Sequence, residues 1–175
     1  MSKLLTDRFW EMKHGLQRSY YYYESRRCFW VAFLLVSKGL EVGLAYFVWA
    51  KSDSRVYSLV GLFGALASSV LTTCKAESRL KTLAQQMRTM RDCLGMMPVR
   101  ANDETAELYQ LIKKKREQAE RKDDVVFAVL DAMCYNKASM TLGATERYKI
   151  GFCQRLFGWW LPWPYPVDAK LEDGE

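Results

Sequence analysis

The chain has 175 residues, half of them hydrophobic, and a net charge of +6. That length holds one domain, or a membrane hairpin with a small helical soluble part. One histidine (His14) and five cysteines without a CxxC pair exclude a metal site. The chain has no dinucleotide, P-loop, nucleophile-elbow or HExxH motif. It is therefore read as a non-enzyme without a cofactor.

Residues 3 to 28 repeat Leu5, Phe9, Met12, Leu16, Tyr20 and Tyr23 at helical spacing between charges. No proline follows, so the spacing predicts one helix from 3 to 50. Tyr20 to Tyr23 cover every face of that helix, which favours packing over base stacking. Phe29 to Ala50 is a first apolar run, and Tyr57 to Cys74 is a second, with only Lys51 to Val56 between them. A bilayer core takes about 17–25 apolar residues per helix. Trp30 and Trp49 lie nineteen positions apart, about 28 Å along a helix, which is the spacing of two interfacial aromatic belts. The expectation is a transmembrane hairpin over 29–74 (29–50 and 57–74). Lys38 and Glu41 interrupt the first run, which keeps two buried helices of a soluble protein as the alternative.

Residues 1–28 carry six Lys or Arg against three acids, and residues 75–101 carry six against two. The positive-inside rule then places both termini in the cytoplasm and the link outside. No cleavable signal peptide is expected. Cys28 and Cys74 fall at the same inner edge and should stay thiols.

Within the hairpin, Ser37, Lys38, Glu41, Ser68, Ser69 and Thr72 are expected to form one polar patch near the bilayer midplane. A charge there is costly against lipid and should face protein or water. Two readings stand side by side: an ion pair that sets helix register, or the lining of a channel. Gly39, Gly43, Gly61 and Gly64 supply small residues for close helix packing.

Past Cys74, the residues Leu80, Leu83, Met87, Met90, Leu94 and Met97 step by 3 and 4, a heptad seam. The second helix is expected over 56–96, with the helix of residues 3–28 as its partner; Gly95 and Pro98 end it. Asn102 or Asp103 is the expected N-cap of a polar helix bearing Leu108, Leu111, Ile112 and Ala119. The KKKR run at 113–116 reads better as a solvated face than as a nucleic-acid patch, since Lys113–Glu117 and Arg116–Glu120 are i,i+4 pairs. The segment 125–143 puts Val126, Val129, Met133 and Met140 on one face, with Asn136 placed to bond across to a neighbour and Gly143 as the stop. Aromatic residues from Phe152 to Tyr165 and prolines 162, 164 and 166 make a tail suited to a membrane interface or a partner groove. The last five residues are expected to be disordered. The regions are then an arm (1–28), the hairpin (29–74), a helical extension (75–97), further helices (98–157) and the tail (158–175).

A basic helix, two close apolar helices, a long polar helix and a helix ending in CYNKASMTLG (134–143) together resemble the SLATT family, two-transmembrane effector domains of bacterial conflict systems. Cys134, Asn136 and Gly143, with QRL at 154–156, look like that family's C-terminal signature. The resemblance spans about residues 15–157, and the Trp/Pro-rich tail departs from it. It implies an all-α, homo-oligomeric effector in the bacterial inner membrane that breaches or depolarises the membrane in abortive infection. Family partners include nucleotidyltransferases, reverse transcriptases and nucleotide-editing systems such as RADAR. The trigger would come from a partner protein or a nucleotide ligand, although no motif here holds a nucleotide. The competing functions are a helical adaptor at the membrane and a holin-like phage membrane protein.

Overall fold

The computed structural model describes residues 3–51, 55–98, 105–121, 127–145, 147–158 and 171–172. These are mostly helical: α1 (Lys3–Lys51), α2 (Arg55–Met96), α3 (Thr105–Glu120), α4 (Ala128–Leu142) and α5 (Phe152–Phe157). A two-residue antiparallel pair joins β1 (Arg147–Tyr148) to β2 (Leu171–Glu172). The expected disorder of the last residues is thus corrected at Leu171 and Glu172, whose backbones pair with Tyr148 and Arg147. The expected cap at Asn102 or Asp103, most of the link, Val126 and the tail from Trp159 to Lys170 lie outside the described residues.

No proline occurs between Lys3 and Lys51 or between Arg55 and Met96, so nothing interrupts the i→i−4 ladder of either long helix. Their bounds fall within one residue of the expected 3–50 and 56–96. Beyond α2, Met97 closes a last tight turn on the Leu94 carbonyl, and Pro98 has no N–H with which to continue.

The chain forms two compact units, residues 27–83 and residues 1–26 with 84–175. In the first, α1 and α2 run antiparallel. Lys38 of α1 reaches the Ser69 carbonyl of α2 at 2.9 Å, and Val48 of α1 closes on Gly61 of α2. Many of the large apolar side chains described in this unit point away from the chain. Leu35, Val42 and Trp49 are each 70–72% exposed, and Leu40, Leu44, Tyr46, Phe47, Phe63 and Val70 are exposed as well.

In the second unit, α3 lies parallel to α1, with Arg116 against Gly15 and Glu120 bonded to Ser19. It runs antiparallel to α2, where Gln86 bonds the Ala119 carbonyl and Met96 meets Lys115. Helix α4 is antiparallel to α1, pairing His14 with Ser139, Arg18 with Asp131, and the Tyr22 hydroxyl with the Phe127 N–H. Met12, Leu16, Met90, Ile112, Val129, Leu130 and Ala138 are buried. Met140, expected on one face with Val129 and Met133, is exposed, while Val129 is buried and Met133 packs on the cluster of Val129, Ala132 and Ile150; Leu130, Cys134 and Ala138 are buried beside them.

Helix α4 ends on Gly143 at φ 72°, with Gly143 N–H on Met140 O and Ala144 N–H on Ser139 O. This is the paired closure of a Schellman motif, which needs a left-handed residue. Gly143→Ala should therefore destabilise the fold by about 1 kcal/mol, whereas Gly143→Asn should cost less. Chemical denaturation followed by far-UV circular dichroism measures both. Equal stability of the alanine variant and the parent would contradict the closure.

Candidate functional site

The polar patch expected in the hairpin is assembled only in part. Lys38 Nζ donates to Glu41 Oε2 at 3.2 Å, to the Ser69 carbonyl at 2.9 Å and to Ser69 Oγ. One ammonium thus joins its own helix to the facing one. Ser37 and Thr72 do not take part in that bridge: Ser37 Oγ donates to Leu34 O and Thr72 Oγ1 to Ser68 O, each on its own helix. Ser68 is exposed and contributes its carbonyl to Thr72. A hydroxyl can satisfy itself on the i−3 or i−4 carbonyl, but an ammonium cannot, so only Lys38 has to reach across.

Of the four glycines, Gly61 alone is closed upon by a described residue: a Cβ there would stand 3.1 Å from Val48 Cγ1. Among the described residues, nothing stands within 4 Å of a Cβ built on Gly39, Gly43 or Gly64.

The seam along α2 is rotated from its expected position. Leu83 and Met90 are buried, while Leu80, Met87, Leu94 and Met97 are only half-buried. Ala76, Gln86 and Cys93 complete the buried stripe. Helix α3 lies on the Gln86 side of α2, where the Gln86 amide reaches the Ala119 carbonyl.

The family-like residues hold structure together. Asn136 clamps the backbone of Tyr148 from both sides, with Nδ2 donating to its carbonyl at 2.7 Å and Oδ1 accepting from its N–H at 2.6 Å. Its partner is β1 and not another helix. Cys134 is buried, and burial pushes its thiol up to about 12, with a Ser25 hydrogen bond acting in the opposite sense. Burial likewise raises the Cys93 thiol, against the pull of Lys115.

Sequence reasoning passed over the polar cluster that joins α1 to α3 and α4. His14, only 5% exposed, stacks on Trp10 at 5.1 Å and meets the edge of Tyr135 at 4.5 Å. Its Nε2 lies 2.9 Å from Ser139 Oγ. Arg18 holds Asp131 in a two-pronged pair, with Nε donating to Oδ1 at 2.6 Å. Ser19 and Arg116 both donate to Glu120 Oε1 at 2.8 Å. Gly15 makes room for this, since the Arg116 guanidinium occupies the place of a Cβ. A mid-helix glycine otherwise costs about 1 kcal/mol against alanine. The KKKR run therefore splits by direction: Lys113 and Lys114 are exposed, while Lys115 and Arg116 turn inward. A cavity of about 240 Å³ sits among Arg18, Tyr22, Arg116, Glu120 and Asp131. The signal was present in the sequence: His14 and Arg18 are four apart, as are Asp131, Tyr135 and Ser139, so each set shares a face.

Among the described residues no group of three or more His, Cys, Asp or Glu is gathered to hold a metal ion. No family model, curated protein or solved structure matches the chain.

Two measurements check this geometry. Asp131→Ala should cost about 1–2 kcal/mol by leaving Arg18 without its carboxylate, and Arg18→Met with Asp131→Ala should cost less than the sum of the two. Strict additivity in denaturation experiments would remove the pair. With its thiol near 12, Cys134 is almost wholly protonated at pH 8, where a thiolate is the reactive form. A thiol reagent at that pH should modify exposed Cys153 and leave Cys134 and Cys93 untouched until the chain is denatured. Rapid native labelling of Cys134 is the contrary result.

Proposed function

We propose that this chain is a membrane-embedded, homo-oligomeric effector of a bacterial anti-phage system. Triggered by a partner protein or a nucleotide signal, it permeabilises or depolarises the inner membrane. The observation that carries the reading is the uncovered apolar surface of α1. The helix contains a span long and apolar enough to cross a membrane, and none of that span is buried inside the chain. A core helix of a soluble protein would hide those side chains; here Leu35, Leu40, Leu44 and Phe47 are open. Lipid is the solvent that such a surface needs.

Two further features support a hairpin across the bilayer. The antiparallel contacts Lys38–Ser69 and Val48–Gly61 bring the second apolar run alongside the first. The Lys38 ammonium is satisfied by Glu41 and Ser69, the condition under which a charge is tolerated at membrane depth. Gly39, Gly43 and Gly64, with no described residue within 4 Å of a Cβ built there, suit close packing of a second copy. The resemblance of residues 15–157 to SLATT effectors supplies the biological setting, and Cys134, Asn136 and Gly143 then belong to that signature as fold-holding residues. A helical adaptor at the membrane is the second reading, favoured by the exposure of Phe152, Leu156 and Phe157 on α5.

Topology and activity are separable in experiment. A Ser52→Cys variant should react with an impermeant thiol reagent added outside intact cells, while exposed Cys153 should stay unlabelled until the cells are opened; the reverse pattern overturns the orientation. Induced expression should depolarise cells before any lysis, which distinguishes the effector from both an adaptor and a holin-like protein. Replacing Lys38 by Leu together with Glu41 by Gln divides the two roles of the patch. Loss of toxicity or altered ion selectivity with assembly retained is expected if the patch lines the path. Full toxicity of the assembled double mutant would leave it as a register-setting pair.

A further inference from the structure

Helix α5 is amphipathic in the reverse sense for a helix in water. At 3.6 residues per turn, Phe152, Cys153, Leu156 and Phe157 share one face of about 140°. That face is turned outward: Phe152 is 79% exposed, Leu156 55% and Phe157 46%, and Cys153 is exposed with them. The opposite side carries Gln154 and leads to Gly158, and these are the positions that turn toward the chain. Gln154 is half-buried and accepts from the Gly151 N–H at 2.9 Å. Gly158 is buried and packs so closely on Val129 that a Cβ would not fit. A surface helix normally buries its apolar stripe and shows its polar one. Here a polar seat holds an apolar face outward, which suits a partner outside the chain.

The charge around this face selects the kind of partner. Lys149, two residues before the N-cap Gly151, is exposed, and so is Arg155. On the helix Arg155 stands about 60° from Phe152, at the rim of the apolar face. No Asp or Glu occurs from Arg147 to Val167. Arg147 is set aside, because Glu172 faces it across the strand pair. Phenylalanine and leucine on one face with lysine and arginine at its edge suit the headgroup layer of an anionic membrane. The sequence continues with Trp159, Trp160, Trp163 and Tyr165, residue types enriched in that layer.

The seat of α5 also places it within its own unit. Ile150, just ahead of α5, is buried with Val129 and Ala132 of α4, and Gly158, just after it, meets Val129. This is the end of α4 at which the Phe127 N–H bonds the Tyr22 hydroxyl, whereas Ser139 near the other end pairs with His14. Helix α5 is therefore tied to the end of the unit from which α1 departs after Arg26. In the sequence the first apolar run begins at Phe29.

We propose that α5 docks on the surface of an anionic phospholipid leaflet. Phe152, Leu156 and Phe157 enter the boundary of headgroups and acyl chains, and Lys149 and Arg155 meet lipid phosphates. The docking needs a lipid surface but does not require the hairpin to span it.

The full chain tests this with Cys28→Ser and Cys74→Ser, which leave Cys153 as the only exposed cysteine. An environment-sensitive fluorophore on Cys153 is followed in vesicles of phosphatidylcholine with phosphatidylglycerol, and of phosphatidylcholine alone. With phosphatidylglycerol the emission should shift to the blue and be quenched by nitroxides carried near the lipid headgroup. Lys149→Glu with Arg155→Glu should lower that quenching by about threefold or more, with the circular dichroism unchanged. Phe152→Ser with Leu156→Ser should lower it as well. A probe that stays in water, quenched by aqueous iodide alike in both lipids, overturns the proposal. So does equal nitroxide quenching in both lipids, since the cations would then contribute nothing. A blue shift without nitroxide quenching also overturns it, and would mean that protein, a second copy or a partner's groove, covers α5. Alkaline extraction of the vesicles reports on the hairpin separately. A chain that resists extraction while its Cys153 probe stays in water loses this proposal alone. A chain that alkali strips, but whose probe enters phosphatidylglycerol vesicles at neutral pH, loses only the spanning reading.

Discussion

Apolar side chains that find no cover within their own chain are the constraint on which the rest of this protein depends. From Val31 to Trp49, α1 presents valine, leucine, phenylalanine, tyrosine and tryptophan outward. Exposed to water, such a surface drives association, since each fully buried large side chain is worth about 1.5–3 kcal/mol. The facing helix relieves little of this: Phe63, Leu66 and Val70 are themselves exposed. Among the described residues the two helices meet at a polar contact, a lysine on a serine, and at a close apolar one, a valine on a glycine. In lipid that division is sensible. Hydrophobic burial between helices has little driving force there, and close packing and hydrogen bonds hold them instead.

The unit of residues 1–26 and 84–175 is held in a different way. Its helices are short or strongly charged, and α3 is polar apart from Ile112 and a few companions. Aliphatic burial therefore supplies only part of the cohesion. The remainder comes from side chains that are polar in sequence and buried or paired in the fold: His14 on Ser139, Arg18 on Asp131, and Ser19 with Arg116 on Glu120. Such contacts demand particular partners at particular angles, unlike aliphatic packing. They fix which face of α4 meets α1, and Gly15 is the concession in α1 that lets Arg116 approach.

This arrangement also gives meaning to the motif that prompted the family resemblance. Asn136 holds the strand after α4, Gly143 turns the chain out of α4, and Cys134 fills the inner face. None of the three offers a reactive group to a substrate: the thiol is buried and protonated, and the amide is occupied at both ends. A short motif of this kind can mark a fold as readily as it marks a chemistry.

The extents of α1 and α2 were legible from the sequence because they depend on local terms: missing prolines, long runs of helix-compatible residues, and a glycine and proline at the end of α2. The opposition of Lys38 and Ser69 was legible too, since a short link leaves one antiparallel register. The sequence by itself thus determined where the long helices run and which side chains are apolar. It did not determine which stripe of α2 is buried or where the charged residues near Arg116 turn. The 3 and 4 spacing through Leu80 and Met97 describes a face but not its partner. With α3 on the Gln86 side, Cys93 is inside and Leu94 is at the edge. Likewise His14 on a basic helix reads as solvated until Trp10, Tyr135 and Ser139 enclose it from two helices. Helix formation is decided by neighbours a few residues away, but burial of a polar group is decided by atoms more than a hundred residues distant in the chain, and those only the tertiary structure brings together.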